Sequence, residues 1–464
     1  MLPIPSAGRP APGNGRPLGI HAKSAVRVYL EKSAAGTVSD PGLARRWRLQ
    51  RGAAGFLADK GPKIDRYGEQ VMAFKYRVAM CHRGTDGGPV TIKRSPDGTR
   101  ATFLGVQTCG SVWHCPLCAP KVALKRRDEL NLAMNRWMVD HGGSVGFVTC
   151  TIQHDTKTFG AGKLVPERDE IAEAMSYFKG TRAVRELLKR CGHVGSVRAL
   201  EPTFGEINGW HLHSHDLAFV AADALIFDRS GRLVLWLSPL GRLVKLWARE
   251  LIKRGLAGLT GNETPAERRS KLRHLLTHCL TVQGGGKAAD YVAKFGKEPE
   301  GDRGQWGIAS EMTRAHLKNG ASVERGVPQR CGHASPWALL NDAVDGDARS
   351  EALFREYAEA MQGRRQLFWS RGLKALLKIG EQSDEEIAAR PDPKCSEHVI
   401  EITPGVWTLI LACDARFELL RAAATEGREG VLLLLAELER RTPTHYGGFT
   451  QSRAVFMVPH RRAA

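Results

Sequence analysis

Three histidines at alternate positions offer metal ligands within one short stretch. His211, His213 and His215 lead directly into an apolar run at residues 217–220. In a β-strand, alternate side chains share a face, and positions two apart are separated by about 7 Å, which two inward-leaning imidazoles can close on one metal ion. In a helix, positions two apart point in different directions and could not chelate. The pattern predicts a strand with a metal-binding face; the alternative is a polar strand whose histidines face water.

A carboxylate ligand for the same site is predicted from strand register. A hairpin centred on Ile207 would set Glu201 opposite His213, where its carboxylate could complete a three-ligand site. The alternative is a solvated carboxylate near a strand end. A slip of one residue would turn Glu201 to the other face and make Glu206 or Asp216 the candidate instead.

A tyrosine flanked by lysines is the second reactive group. It follows the glycines at 284–286, and in a helix Lys287, Tyr291, Lys294 and Glu298 form one stripe. Neighbouring lysines can lower the pKa of a tyrosine hydroxyl and hold a phosphate group against it, which a nucleophile that attacks a phosphodiester requires. The alternative is an amphipathic helix whose tyrosine packs in a core.

Four of the ten cysteines form a pattern typical of a structural zinc site. A Cys-x2-Cys pair with a proline inside it supplies half of a tetrahedral thiolate site, and two upstream cysteines supply the other half. The predicted Zn²⁺ ligands are Cys81, Cys109, Cys115 and Cys118. His82 and His114 are substitutes, and the alternative is a set of reduced cysteines without a metal.

The chain is strongly basic. Its 464 residues include 68 Lys and Arg against 49 Asp and Glu, a formal net charge of +19. Such an excess favours a polyanionic partner, most often nucleic acid, although an arginine-rich proteome also produces it. No apolar run approaches the ~20 residues of a membrane span, and residues 1–16 lack the apolar core of a signal peptide. We therefore expect a cytoplasmic protein without membrane association.

These reactive residues require a sheet to position them, and hydrophobic periodicity predicts its strands and the helices around it. Strands are predicted at residues 146–152, 196–203, 232–237 and 281–283, with Pro202 placing the second at an edge or end. Helices are predicted at residues 42–57, 119–138, 166–190 and 239–254. Beyond an acidic linker at 381–394, strands are predicted within 398–413 and one or two helices within 415–441.

The helix predicted at 119–138 begins with basic residues. Lys121, Lys125, Arg126 and Arg127 could contact DNA phosphates, although a solvated helix face explains them nearly as well. Lys287, in the tyrosine stripe, is a further candidate for a phosphate contact.

Taken together, these segments resemble the HUH endonucleases, and among them the rolling-circle replication initiators of actinobacterial plasmids. The resemblance covers about residues 75 to 375, and its pieces occur in the order known for that family. They are the cysteine segment 109–118 with its basic helix, the strand 147–151, the histidine motif 209–215 and the tyrosine motif 291–294, followed by 311–313, 335–340 and 365–370.

The resemblance implies an α+β fold, in which an HUH nuclease domain has a central antiparallel sheet flanked by helices. It implies that His213 and His215 bind Mg²⁺ or Mn²⁺, that Tyr291 is the nucleophile and that Lys294 stabilises the charge developing on the phosphate. Ser214 lies where the family usually has an apolar residue, so His211 and His213 remain a second possible pair.

The resemblance does not identify the residue that ends a replication cycle. Some relatives have a glutamate one helical turn before the tyrosine, where this chain has Lys287. The group that activates water at the end of a cycle is therefore not assigned, and Asp290 and Glu298 are the candidates.

The expected function is initiation of rolling-circle plasmid replication. The protein would nick one strand of a double-strand origin that is single-stranded at the nick, leaving a 5′-phosphotyrosine and a free 3′-hydroxyl for host helicase and polymerase. The alternatives are a zinc-bearing HUH transposase and a non-catalytic, zinc-stabilised DNA-binding protein. The expected domains are a largely disordered tail (1–60), a zinc-binding segment with its basic helix (61–140), the nuclease domain (141–380) and a small C-terminal α/β accessory module (381–464).

Overall fold

The computed structural model describes residues 41–64, 67–152, 160–230, 232–284 and 333–441. These residues form the expected mixed α+β fold with antiparallel sheets, and they divide into two compact units. The larger unit comprises Arg45–His82 and Gln107–Arg390, and the smaller unit includes Arg83–Val106 and residues 391–441. Within the described ranges, every helix is too short or too polar to span a lipid bilayer.

The strands and helices of the described residues are numbered here in chain order. The strands are β1 (Lys60–Ile64), β2 (Gln70–Phe74), β3 (Val90–Arg94), β4 (Ala101–Leu104), β5 (Ser144–Thr151), β6 (Gly195–Gly205), β7 (Gly209–Val220), β8 (Leu280–Gly284), β9 (His333–Ala334), β10 (Leu367–Trp369) and β11 (Glu397–Ile402). The helices are α1 (Pro41–Phe56), α2 (Cys118–Val139), α3 (Leu164–Gly180), α4 (Arg182–Arg190), α5 (Leu243–Lys253), α6 (Pro265–His278), α7 (Pro336–Val344), α8 (Ala348–Met361), α9 (Leu373–Leu376), α10 (Asp384–Ala389), α11 (Pro404–Ala412), α12 (Arg416–Thr425) and α13 (Gly427–Arg441).

The central sheet of the larger unit is antiparallel, with the strand order β10-β6-β7-β5-β8 and with β9 paired to the end of β6. Strands β6 and β7 form a hairpin, and β7 starts at Gly209, whose φ of 75° is a left-handed conformation that glycine adopts without strain. The register sets Glu201 opposite His213. The hairpin centred on Ile207 is therefore confirmed.

Pro202 lies inside β6 and not at the end of a strand. On the side of β6 away from β7, the described strands pair only with residues 197–199 and 204–205. A proline has no N–H to donate to a ladder, and Pro202 falls in the gap between these two pairings. Among the described strands, Pro202 is therefore unpaired on one side as an edge residue would be, but it lies in the middle of a longer strand.

Two apolar clusters cover opposite faces of the central sheet. On one face, α2 packs over Phe147, Leu217 and Phe219 through residues such as Trp137. On the other face, helices α3 and α5 pack with the even-numbered residues of β7, such as Leu212. Since strand side chains alternate between faces, the odd-numbered histidines share the face of α2.

Most predicted helices and strands of the larger unit are confirmed, with two changes. The single helix expected at 166–190 is divided at Thr181, whose backbone is extended (φ −65°, ψ 144°). Residues 232–237 do not form a strand, because only Leu233 pairs, in a single bridge to Phe227.

The smaller unit joins two distant pieces of chain. Its three-stranded sheet has the order β11-β3-β4, so a C-terminal strand pairs with the hairpin at residues 90–104. Residues 404–412, where a strand was expected, are helix α11, because Pro404 is at the first turn, where its fixed φ favours a helix. Trp407 of that helix packs on Phe103, with 5.2 Å between ring centroids, and donates a hydrogen bond to the carbonyl of Arg83.

Ending the chain after Arg390 should make the β3–β4 hairpin sensitive to protease. Without β11, one edge of β3 has no partner, and Ile92, which is fully buried, becomes exposed. Trypsin should then cut after Lys93, Arg94 and Arg100, and mass spectrometry of timed digests would locate the cuts. A chain ended after residue 441 is the control and should stay protected; equal protection of both chains would show that the hairpin folds without its C-terminal partners.

Candidate functional site

The histidine strand is the centre of the candidate site. His213 and His215 lie on β7 opposite Thr151 and Thr149 of β5, whose side chains share their face. The hydroxyl of Thr149 lies 3.0 Å from Nδ1 of His215, and that of Thr151 lies 3.1 Å from Nδ1 of His213. Two rungs of threonine and histidine therefore fix the orientations of both rings.

His215 is locked from three sides. Its Nε2 is 2.8 Å from Oε2 of Glu201, and both side chains are buried, with relative exposures of 5% for His215 and 6% for Glu201. The ring stacks on Phe147, with 5.2 Å between ring centroids and 9° between the planes. A neutral His215 protonated on Nε2 would donate to Glu201 and accept from Thr149, which satisfies both nitrogens.

Glu201 lies beside the histidines as expected, but its hydrogen bond is to His215, whereas His213 is the residue directly opposite it. It is opposite His213 in the register, and its carboxylate bonds to His215 two residues further along. Diagonal side chains approach each other in a twisted antiparallel pair, so both contacts are available from one position.

His213 belongs to both candidate metal pairs. Its ring centroid is 3.8 Å from that of His211 and 5.9 Å from that of His215. His211 and His213 are partly exposed, whereas His215 is buried. The site therefore opens to solvent at the His211 end of the strand.

The other carboxylates considered from sequence lie elsewhere. Asp216 is on the opposite face of β7, where it accepts hydrogen bonds from Lys179 at 2.7 Å and from Ser214 at 3.4 Å. Glu206 lies in the exposed turn of the hairpin and pairs with Arg349 at 2.7 Å. The polar Ser214 and Asp216 thus form a separate ion-paired cluster beneath the histidine face.

A buried glutamate supports the strand from behind. Glu167 of α3 is completely buried and accepts the backbone N–H of Leu212 at 3.0 Å, while its second oxygen has no hydrogen-bond partner. Burial raises the pKa of Glu167 to about 7. A helix side chain therefore holds the stretch of β7 between two histidines.

The four predicted cysteines meet in one buried cluster. The Sγ atom of Cys81 is 3.6 Å from that of Cys118 and from that of Cys115, and the Sγ atoms of Cys109 and Cys118 are 3.8 Å apart. A tetrahedral site with metal–sulfur bonds of about 2.3 Å has sulfur–sulfur edges of about 3.8 Å. The cluster matches that spacing, and disulfide bonds would be far shorter. The four thiols could therefore bind a structural zinc ion.

Local contacts distinguish the cysteines from the substitute His114. Hydrogen bonds from the other cysteines, that of Cys109 first, lower the pKa of Cys118 well below its usual range, whereas burial raises the pKa of Cys115 well above it. His114 is buried and its Nε2 is 3.0 Å from the carbonyl of Ala358, so His114 is occupied in holding α8. Backbone N–H groups of Ser111 and Cys118 point at the sulfurs of Cys109 and Cys115, both at 3.4 Å.

Among the described residues, only these cysteines form a group of three or more metal-binding side chains with all ligand atoms within 4.8 Å of one another. The atoms of His213, His215 and Glu201 are not gathered to that extent. Closing a metal site on the histidine face would require His213 to lean toward the His215–Glu201 pair.

The basic start of α2 separates into exposed and internal side chains. Lys121 is exposed, and Lys125 and Arg127 are partly exposed. Arg126 is 9% exposed, and its guanidinium donates to Glu129 at 2.8 Å and to Asp384 at 2.6 Å. Arg126 thus joins α2 to α10.

Tyr291, Lys294 and Lys287 lie outside the described residues, so their geometry is not part of the site described here. Thr149, Thr151 and Glu167 were not predicted as site residues. An alternating strand at 146–152 would place the two threonines on one face, which is the signal that could have found them.

Comparison with known proteins gives one extended similarity. The chain is 26% identical over 399 residues to Protein rep of Streptomyces lividans, covering 74% of this chain and 80% of the relative. It is also 26% identical over 151 residues to a Streptomyces cyanogenus protein described as neomycin resistance protein, covering 26% of this chain and about a third (32%) of that relative. No family model and no solved structure matches the chain. The protein is therefore a distant homologue of Protein rep.

The cysteine cluster predicts a measurable zinc content. Purified protein should carry about one zinc ion per chain, and Cys118→Ser should lose it and unfold at a lower temperature, because one thiolate of a closed tetrahedral site is gone. Elemental analysis and thermal unfolding would measure both effects. Cys191→Ser is the control, since Cys191 is equally buried but outside the cluster; the same zinc content in both variants would contradict the assignment.

Glu167 predicts a pH-dependent stability with a definite sign. Its folded pKa of about 7 lies above the ordinary value of 4.5, so its contribution is complete below pH 4.5 and is lost as the pH rises through 7. Between pH 5 and pH 8, wild type should lose about 1–3 kcal/mol from this group, and Glu167→Gln should not, because the amide stays neutral. Urea unfolding at both pH values would test this, with Glu170→Gln on the same helix as control; an equal pH dependence of wild type and Glu167→Gln would contradict it.

Proposed function

We propose that this protein initiates rolling-circle replication of a plasmid by nicking one strand at its origin through a tyrosine nucleophile. The observation that carries the proposal is the histidine face of β7, where Glu201 bonds to His215 beside His213. The distant homology to Protein rep and the net charge of +19 support it independently. We assign the nuclease chemistry to residues 141–380, which contain the central sheet.

In this proposal His213, His215 and Glu201 would hold Mg²⁺ or Mn²⁺. Two imidazoles and one carboxylate suit a borderline divalent ion. The pair His213 and His215 is supported over His211 and His213 by the position of Glu201 beside His215 and by the threonines that orient both rings. The ion would take the place of the proton between Nε2 of His215 and Glu201. The bound ion would polarise the scissile phosphate and neutralise charge developing on it.

Tyr291 would exchange one phosphodiester for another. Its phenolic oxygen loses a proton and forms a bond to phosphorus, while the bond from phosphorus to the 3′ oxygen breaks. That oxygen leaves with the bonding electron pair and takes up a proton, giving a 5′-phosphotyrosine and a 3′-hydroxyl that a host polymerase can extend. Lys294 would stabilise the charge of the transition state, and Lys287 would contact a neighbouring phosphate.

The length of chain allows Tyr291 to reach the histidines. Gly284 is level with Gly146 in β5, five residues from Thr151, which is opposite His213. This offset is about 16 Å along the sheet, and crossing two strands adds about 10 Å. The seven residues 285–291 can span at most about 23–25 Å, so the tyrosine is within reach if the chain turns back toward the histidines.

The zinc cluster and the basic residues would act outside the chemical step. The cysteines would bind Zn²⁺ and stabilise the start of α2, where Lys121, Lys125 and Arg127 would contact the phosphates of origin DNA. A host helicase would separate the strands behind the nick.

The test is formation of a covalent protein–DNA adduct. Wild type, incubated with Mn²⁺ and supercoiled plasmid carrying its origin, should form an adduct that survives a denaturing gel, and Tyr291→Phe should form none. His213→Ala and His215→Ala should reduce adduct formation on the order of 100-fold, because each removes a ligand. Tyr177→Phe is the matched control, since Tyr177 is half-exposed on α3, and it should remain active.

Each alternative has its own outcome in the same assay. An adduct formed by Tyr291→Phe would remove this tyrosine from the mechanism. Origin binding without any nicking by wild type would favour a non-catalytic DNA-binding protein. Cleavage at the ends of a mobile element in place of the origin would favour a transposase.

A further inference from the structure

A large cavity lies beside the cysteine cluster in the larger unit. Its volume is about 990 Å³, and its walls are residues 75–77, the loop 109–114, the segment 362–374 around β10, and residues 381–386. Cys109 is part of its lining. Among the described residues, none that is proposed to bind the catalytic ion or to cut DNA lines this cavity.

The acidic side chains of the cavity are already engaged by neighbouring groups. Seven Lys and Arg side chains line it against four Asp and Glu side chains. The engaged pairs are Lys374–Glu381 at 2.8 Å, Arg126–Asp384 at 2.6 Å, Arg77–Glu385 at 2.6 Å, and the N–H of Ser383 with Glu386 at 2.9 Å.

Three arginines supply the excess positive charge. Arg364, Arg365 and Arg371 line the cavity with exposed side chains, and no ion pair of the described chain involves them. Since three of the four acidic groups are paired with basic side chains, and basic side chains outnumber acidic ones, these guanidinium groups give the cavity a positive potential. Guanidinium forks match the geometry of phosphate oxygens, so a phosphate-bearing ligand fits this charge pattern.

One wall of the cavity is joined to the histidine strand through the central sheet. In the central sheet Leu367 pairs with Ala199, which lies two residues, about 7 Å, before Glu201 on β6. Because β10 is antiparallel to β6, Arg365 lies at the end of β10 nearest to Glu201. Trp369, which is partly exposed in the cavity wall, packs against the apolar cluster under α2 and has Nζ of Lys374 5.3 Å from its ring centroid, so this wall is basic.

We infer that this cavity binds the phosphate backbone of the single DNA strand that flanks the scissile phosphate, with Arg364, Arg365 and Arg371 as its contacts. The inference rests on the proposed function for the identity of the strand. A single strand fits better than a duplex, because the strand must be unpaired at the nick and because a basic groove can follow the backbone of a single strand without base contacts.

The test is the salt dependence of binding to a labelled oligothymidylate of about 20 nucleotides, measured by fluorescence anisotropy. Each phosphate contact on a single strand contributes about 0.7 to the slope of log affinity against log salt concentration. The triple variant Arg364→Ala, Arg365→Ala, Arg371→Ala should therefore lose about 2 from the slope, and its affinity at low salt should fall roughly 10–100-fold. The triple lysine variant should keep most of the slope, because it retains the charges.

A second triple variant separates a local site from net charge. Arg182, Arg185 and Arg190 are exposed on α4 and form no ion pair within the described chain. Replacing them with alanine removes the same charge and should leave the slope close to that of wild type. Equal slopes for wild type and the cavity variant, or equal losses in both triple variants, would overturn the inference.

The assay is designed so that it does not depend on nicking. All variants carry Tyr291→Phe and are measured without added divalent ion, with zinc content and unfolding midpoint confirming that each is folded. The adduct assay is run separately on proteins that keep Tyr291. Absence of an adduct there, with cavity binding intact in the Tyr291→Phe protein, would refute the proposed function and leave the cavity site standing. A protein that nicks normally with the cavity arginines removed and binding unchanged would do the reverse.

Discussion

The pairing of β7 on both of its edges is the constraint on which the site depends. Strands β5 and β6 fix its register, and this determines which face of the sheet each side chain of β7 occupies. A slip of one residue would move Leu217 and Phe219 from the cluster under α2 to the face of α3 and α5 and turn the histidines with them, which would disrupt the packing of both clusters. Packing far from the candidate site therefore determines which groups face one another within it.

The two faces of β7 keep apart polar groups that could otherwise compete for the same hydrogen-bond partners. On one face, Thr149 and Glu201 satisfy the nitrogens of His215. On the other face, Lys179 neutralises Asp216, and Glu167 replaces a strand partner for the amide of Leu212. Because the sheet separates these groups, Glu201 and Asp216 each have their own hydrogen-bond partner.

The cysteine cluster plays a comparable part at the start of α2. It joins Cys81, which precedes the smaller unit's hairpin in the chain, to the loop that begins α2. Three short sulfur–sulfur contacts hold these segments where regular secondary structure does not. The same loop lines the arginine-bearing cavity, so a metal ion bound there would stabilise both the helix and one wall of the cavity.

Sequence alone determined the features that depend on near neighbours in the chain. Strand alternation, the hairpin that pairs Glu201 with His213, and the Cys-x2-Cys knuckle follow from local geometry, and all three are present. Tertiary structure decided the rest: that Glu201 bonds to His215, that Arg126 turns inward to Asp384, and that residues 391–441 fold with a hairpin some 300 positions earlier in the chain. These outcomes depend on sheet twist, on desolvation and on contacts between distant segments, none of which leaves a periodic pattern in the sequence.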